Sequence, residues 1–293
     1  MRTCSPAKRF HDGRSCCLFL LVACVAVLSQ LPYPALAQTD TLSSDNRSAG
    51  HSARRSTPEH AYLFATGAAN ILDTYLSAEK YKGTELRYIT TVSRQTRWHG
   101  VRQTILNEGQ LDYVSNRADN NNELGGMYRF QYHLRRHWEL AQGLVIEAGG
   151  GIGANVGFLY NTRNSNNPAQ AYAALQLLPS VATSQQVRLF NWPVLLRYEA
   201  SVPLLGVMFS PNYGQSYYEI FSRGNYDHNV VPTTIAATPS LRHMLTADVP
   251  LSRRKQTTTL CIGYLGDYQQ AKVNNLKQHQ YAHMLVIGLR VTK

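Results

Sequence analysis

The chain has 293 residues, with 29 Lys and Arg against 18 Asp and Glu, a formal charge of +11, and five cysteines. That charge comes without any Arg/Gly or Lys-rich recognition run, so it points to anionic lipid or glycolipid headgroups and not to nucleic acid. Past the N-terminus no apolar run reaches the roughly 18 residues of a spanning helix, which leaves a soluble exported domain or a membrane β-barrel.

Arg2, Lys8, Arg9 and Arg14 precede an apolar stretch from Cys17 to Leu28, and Ala35-Leu36-Ala37 forms a small-x-small site. This pattern predicts a signal peptide over 1–37, cleaved after Ala37, with export to the outer membrane. An uncleaved anchor is the alternative, but Pro32 and Pro34 interrupt the apolar run. Leu21-Val22-Ala23-Cys24 resembles a lipobox, yet Val25 to Leu28 stay apolar where a mature lipoprotein turns polar. Removing 37 residues from 293 leaves 256, with 25 basic and 17 acidic side chains and Cys261 as the one cysteine. An internal disulfide and a cysteine-based metal site are thereby excluded. The expected organisation is a flexible periplasmic segment over 38–60 and a barrel domain over 61–293.

Candidate strands fall at 61–76, 84–94 and 101–114. In the fourth, 124–138, Tyr128, Phe130, Tyr132 and Leu134 share one face, with Arg129, Gln131 and His133 on the other. The fifth, 144–160, carries Gly151, Gly153 and Gly157 behind Leu144-Val145-Ile146 and imitates a dinucleotide turn. A dinucleotide site needs a helix next and an acid about 20 residues on. Here a loop composition follows, Asn161 to Pro168, and the next acid after Glu147 is Glu199, so no cofactor is expected. Read with period two, Leu144, Ile146, Ala148 and onward to Tyr160 make an apolar face, while Glu147, Gly149, Gly151, Gly153, Asn155 and Gly157 make a small, polar one. A strand of this length, apolar outside and small inside, suits a wall between lipid and a crowded lumen.

Residues 161–186 are expected as an external loop, with 170–182 a short helix inside it. Further strands follow at 187–202, 205–221, 238–249, 258–266 and 279–291, giving an all-β, closed antiparallel up-and-down transmembrane β-barrel of ten strands, with twelve as the rival count. Short turns at 95–100, 139–143, 203–204 and 250–257 then face the periplasm, and loops at 77–83, 115–123, 161–186, 222–237 and 267–278 face outward. Pro193 inside a strand predicts a bulge or a place near the rim. The chain closes Val291-Thr292-Lys293, without the aromatic residue common at the end of bacterial outer-membrane barrels.

Few residues suggest chemistry. Ser216 in Gly214-Gln215-Ser216-Tyr217-Tyr218 begins like a nucleophile elbow without its closing glycine, and Asp227-His228 in an external loop offers an acid-oriented imidazole. A surface hydrolase built on Ser216 or on Asp227 and His228 is one alternative; solvated polar residues are the plainer account. His279 and His283 share a strand face but lack a third ligand, so no metal is expected. Arg129, His133, Glu147, Arg197 and Glu199 should face the lumen as a polar cluster of pairing charges, which argues against a soluble lipocalin-like binder with an apolar lumen. Arg253-Arg254-Lys255 reads as a solvated turn near headgroups.

Four segments carry a family resemblance: Ile71-Leu72-Asp73-Thr74-Tyr75-Leu76-Ser77, Asn164-Ser165-Asn166-Asn167-Pro168, Phe209 through Phe221, and Asn274-Asn275-Leu276-Lys277. They are similar to motifs of an uncharacterised family of Bacteroidota envelope proteins, domain of unknown function 3316. The resemblance implies a Gram-negative envelope location and no particular activity. The expected protein is a structural or ligand- or lipid-binding barrel, with outer-membrane lipid or lipopolysaccharide as its partner.

Overall fold

The computed structural model describes residues 57–292 apart from 99, 166, 190–191 and 253–256. The expected signal peptide, most of the segment 38–60, and the basic turn Arg253-Arg254-Lys255 lie outside the described residues. Twelve strands form one antiparallel sheet: β1 (Glu59–Asp73), β2 (Tyr81–Gln95), β3 (Val101–Ser115), β4 (Asn122–Ala141), β5 (Leu144–Asn161), β6 (Ala169–Leu189), β7 (Trp192–Ser201), β8 (Leu205–Phe209), β9 (Val230–Thr234), β10 (Leu241–Pro250), β11 (Thr258–Val273) and β12 (Leu276–Thr292). A short helix, α1 (Tyr217–Phe221), lies between β8 and β9.

Ten of these strands close a ring. Each neighbours the next along the chain from β1 to β7, β10 pairs with β7 and β11, and β12 returns to β1. The two extra strands are continuations. β6 pairs Ser180 with Ser201 of β7, but Leu177 with Leu205 of β8, so one additional residue bulges out between 201 and 205. Pro179 and Pro203 sit at this discontinuity, where a missing N–H does least harm to the ladder. β8 and β9 then pair as a hairpin extending from the ring, Leu205 opposite Thr234.

The closed antiparallel ring of ten agrees with the periodicity, but its bookkeeping differs at one place. Residues 170–182 are not a loop helix: they belong to β6, a strand of 21 residues. The expected turn at 203–204 is the bulge between β7 and β8, and the chain reverses instead between β6 and β7, where Leu189 pairs with Trp192. One strand missed and one strand divided left the count at ten. The external loop expected at 267–278 shrinks to Asn274-Asn275, both with positive φ (50° and 61°), a two-residue turn matched to strand twist. Pro193 is the second residue of β7, at the rim.

The outer wall is apolar around its middle. Phe64, Ile152, Val156, Leu175, Leu177, Leu245, Ile262, Leu285 and Ile287 are all exposed on it. The three tryptophans, Trp98, Trp138 and Trp192, gather at the short-turn end, near the β2–β3, β4–β5 and β6–β7 connections. Amphipathic indoles favour such a level, where apolar wall meets polar boundary.

The glycines of β5 have a sharper use than lumen space. A Cβ on Gly151 would lie 2.0 Å from the carbonyl oxygen of Tyr132 on β4, and one on Gly149 would lie 2.1 Å from that of Leu134. Only a residue without a side chain lets the two strands curl this tightly.

Candidate functional site: a sealed lumen under a loop-end cap

Inward side chains on β2, β3, β4, β10 and β11 meet in a charged plug. Arg87 donates from Nη1 to Glu108 (2.9 Å) and to Asp267 (2.5 Å), and it also pairs with Glu85 through Nε. Arg129 donates to the same two acceptors, Glu108 at 2.5 Å and Asp267 at 3.0 Å. Arg242 reaches Glu108 at 2.7 Å from the opposite wall. Arg87, Glu85, Glu108, Asp267 and Arg129 are all buried, with Arg87 at 0% exposure. Charges removed from water in this way are stable only when paired and hydrogen-bonded, and guanidinium forks satisfy several carboxylates at once.

A second ionic layer lies toward the short turns. Arg197 and Arg290 both bind Glu59 and Asp248, at 2.7 to 3.1 Å. Arg135 contacts Glu199 at 3.3 Å, Arg102 contacts Glu147 at 3.2 Å, and His133 shares a 3.2 Å contact with Gln131. Ala61, Leu63, Ile89, Leu106, Met284 and the free thiol of Cys261 form a buried apolar cluster on one side of the lumen.

The residues anticipated in the lumen therefore divide. Arg129 joins the upper plug, Arg197 the lower quartet, and His133, Glu147 and Glu199 lie around Arg135. Missing from that anticipation were Arg87, Glu108, Arg242, Asp267 and Arg290, which tie the walls together. Their signal was present as strand parity: Glu85 and Arg87 occupy like positions of β2, and Asp267 that of β11.

Above the plug, inward residues of β3, β6, β11 and β12 surround a cavity of about 90 Å³, with Asp112, Gln176, Gln269, Gln280 and Tyr172 among its lining. Over this end sits a cap made from the four segments that carry the family resemblance. The Tyr75 hydroxyl donates to the Gln215 carbonyl (3.0 Å), joining the first segment to the third. Asn164 donates to the Leu76 carbonyl (2.7 Å), joining the second to the first. Asn274 donates to the Ser210 carbonyl (3.0 Å) and to the His228 carbonyl (2.8 Å), fixing the 210–229 loop on the β11–β12 turn. Thr74 and Lys277 exchange hydrogen bonds across β1 and β12. Within the cap, Tyr217 stacks on Phe221, accepts from the Ala171 N–H at 2.7 Å and donates to Gln170 at 2.9 Å. Burial pushes the Tyr217 phenol up to about 12.

Ser216 caps α1. Its hydroxyl accepts from the Glu219 N–H (3.2 Å) and donates to the Glu219 carboxylate (3.1 Å), a reciprocal capping box. These bonds to the Ser216 backbone and hydroxyl hold the Glu219 carboxyl below its usual range. Asp227 and His228 pair with each other at 2.6 Å while about three-quarters exposed, at 75% and 78%. The three residues thus have separate engagements, Ser216 with Glu219 and Asp227 with His228. His279 stacks on Tyr281 and contacts Asn70 at 3.3 Å, whereas His283 meets the Tyr264 hydroxyl at 2.6 Å, so the two histidines serve different neighbours.

Residues 18–293 match the family described as "Protein of unknown function (DUF3316)". The chain belongs to this family. No curated protein matches it in sequence. Among solved structures it is similar to the transport unit of the autotransporter AIDA-I from Escherichia coli, at 9% identity and a TM-score of 0.43, covering 83% of this chain and 92% of that one. The outer-membrane protease OmpT from Escherichia coli matches at 5% identity and a TM-score of 0.41, over 82% and 96%. The translocator domain of NalP from Neisseria meningitidis matches at 8% and 0.38, over 83% and 90%. Likenesses this remote transfer neither activity nor location, and the DUF3316 barrel rests on its own strand pairing.

Proposed function

We propose that this DUF3316 protein is a non-conducting outer-membrane β-barrel that holds a rigid binding surface, its loop-end cap, at the face of the membrane. The observation that carries the reading is the union of two features: a lumen crossed by Arg87, Arg129 and Arg242 on shared carboxylates, and four distinctive segments hydrogen-bonded into one cap above it. A membrane setting is supported by the apolar outer wall and by the tryptophans at one end. A soluble lipocalin-like binder would need the reverse arrangement, with apolar side chains inside and polar ones outside. The narrower setting, a Bacteroidota envelope reached through a signal peptide cleaved after Ala37, is supported by the motif resemblance and the N-terminal pattern.

The test is fractionation followed by a heat-modifiability gel and planar-bilayer recording. The expected result is a membrane-bound protein whose mobility shifts on boiling and which gives no steady conductance. A soluble protein without the shift removes the membrane reading, and stable open-channel steps remove the sealed lumen.

A further inference from the structure

Lysine and arginine differ in how they pair among the described residues. Among the described residues every Lys/Arg–carboxylate ion pair uses arginine, and the four lysines, Lys80, Lys82, Lys272 and Lys277, are all exposed without one. All four stand at the loop end of neighbouring strands. β2, β1, β12 and β11 are consecutive around the ring. Lys82 stands opposite Asn70 on β1, Asn70 opposite Tyr281 on β12, and Lys277 directly opposite Lys272 on β11. Like charges face to face across a strand pair are destabilising unless an anion lies between them.

The height of this patch on the wall is informative. Descending the outer face of β12 from Lys277, His279 and Tyr281 come next, then His283, and then the exposed apolar run Leu285, Ile287 and Leu289. On β1 the apolar pair Tyr62 and Phe64 gives way upward to Asn70. The lysines thus stand on the cap side of the apolar band, with Asn70, Tyr281 and the largely buried His279 between them. On the adjoining loops Glu79 bonds Asn116 and Asp227 pairs with His228.

We infer that the outer wall across β2, β1, β12 and β11 is a binding site for the phosphorylated headgroup of a membrane lipid, held by Lys82, Lys272 and Lys277 with Lys80 beside them. The inference rests on the membrane reading above and adds the ligand class. Lysine suits the task because a flexible ammonium can follow a mobile phosphate, while the planar fork of arginine suits the fixed geometry of the plug.

The experiment uses the full exported chain in a neutral detergent, with bound lipid counted by native mass spectrometry. The probes are diphosphoryl lipid A, the same lipid without phosphates, and inorganic phosphate. The expected result is retention of the phosphorylated lipid in preference to the dephosphorylated one, weakened as salt rises from 50 to 500 mM, roughly in line with charge screening. Lys82→Gln/Lys272→Gln/Lys277→Gln should lower affinity by about fivefold per lysine, on the order of a hundredfold together. The matching three-fold arginine variant should retain binding. A boiling-dependent mobility shift confirms that each variant is folded, and the two-site Lys272→Gln/Lys277→Gln variant replaces the triple if that one does not fold. Equal retention with and without lipid phosphates overturns the site, as does unchanged affinity in the folded glutamine variants. Tight binding of inorganic phosphate alone overturns the lipid assignment. A soluble wild-type chain with no mobility shift removes the barrel reading instead.

Discussion

Glu108→Gln gives the most direct measure of what seals the lumen. The Glu108 carboxylate, 1% exposed, accepts from Arg87, Arg129 and Arg242, which arrive from three different strands. Glutamine keeps the shape and some hydrogen bonding but removes the charge. Arg87 and Arg129 retain Asp267 as a partner, at 2.5 and 3.0 Å, whereas Arg242 keeps no carboxylate within ion-pair distance among the described residues. One buried charge is therefore orphaned, and removing a single partner from a buried pair costs about 3–5 kcal/mol. The second substitution, Arg242→Met, deletes the orphan, so Glu108→Gln/Arg242→Met should recover at least about half of that loss. Unfolding by urea in liposomes, followed by the fraction of unshifted band on a cold gel, reads both variants. A single variant within about 0.5 kcal/mol of the wild type, or a double variant no more stable than the single, refutes the plug as the strut of the barrel.

Gly151→Ala and Gly150→Ala differ by one position and should differ in outcome. The first places a Cβ 2.0 Å from the Tyr132 carbonyl and the second no closer than 3.5 Å to the Leu178 carbonyl, so the first should cost about 1–3 kcal/mol more in the same assay. In an ultraviolet titration with a group of late phenols, the buried Tyr172 of β6 among them, Tyr217 should stay protonated until near pH 12. Its raised folded value means that the cap gains stability from this proton below the ordinary phenol range and loses it as pH rises through about 12. Tyr217→Phe should remove one phenol from the late-titrating group and increase protease nicking between 210 and 229, measured by mass mapping, with the mobility shift on boiling unchanged.

The candidate site was legible only in pieces. Arg129, His133 and Glu147 could be placed inside by alternation, because each sits in a strand long enough to show its period. Their partners could not be chosen, since Glu108 and Arg242 are separated by 134 residues and meet only after the ring closes. The distinctive segments at 71–77, 164–168, 209–221 and 274–277 could be noticed one at a time, but nothing local says that Tyr75 will reach Gln215 or Asn274 will reach Ser210.

By itself the sequence determined the class of fold, because period-two alternation over long stretches such as Leu144–Asn161 is a property of neighbouring residues and a wall with two unlike faces follows from it. It could not place the β6–β7 reversal. Ala169–Leu189 mixes small, apolar and amide side chains, and Pro179 interrupts the very strand it belongs to. Tertiary pairing decided that stretch: β5 offers a partner for it from Tyr160↔Ala169 to Leu144↔Gln185, and leaving so many backbone groups unpaired would cost far more than one proline at a bulge. Which arginines are drawn into the lumen as ion pairs, Arg87, Arg129 and Arg242 among them, is likewise settled only when the wall closes, for an inside exists only then.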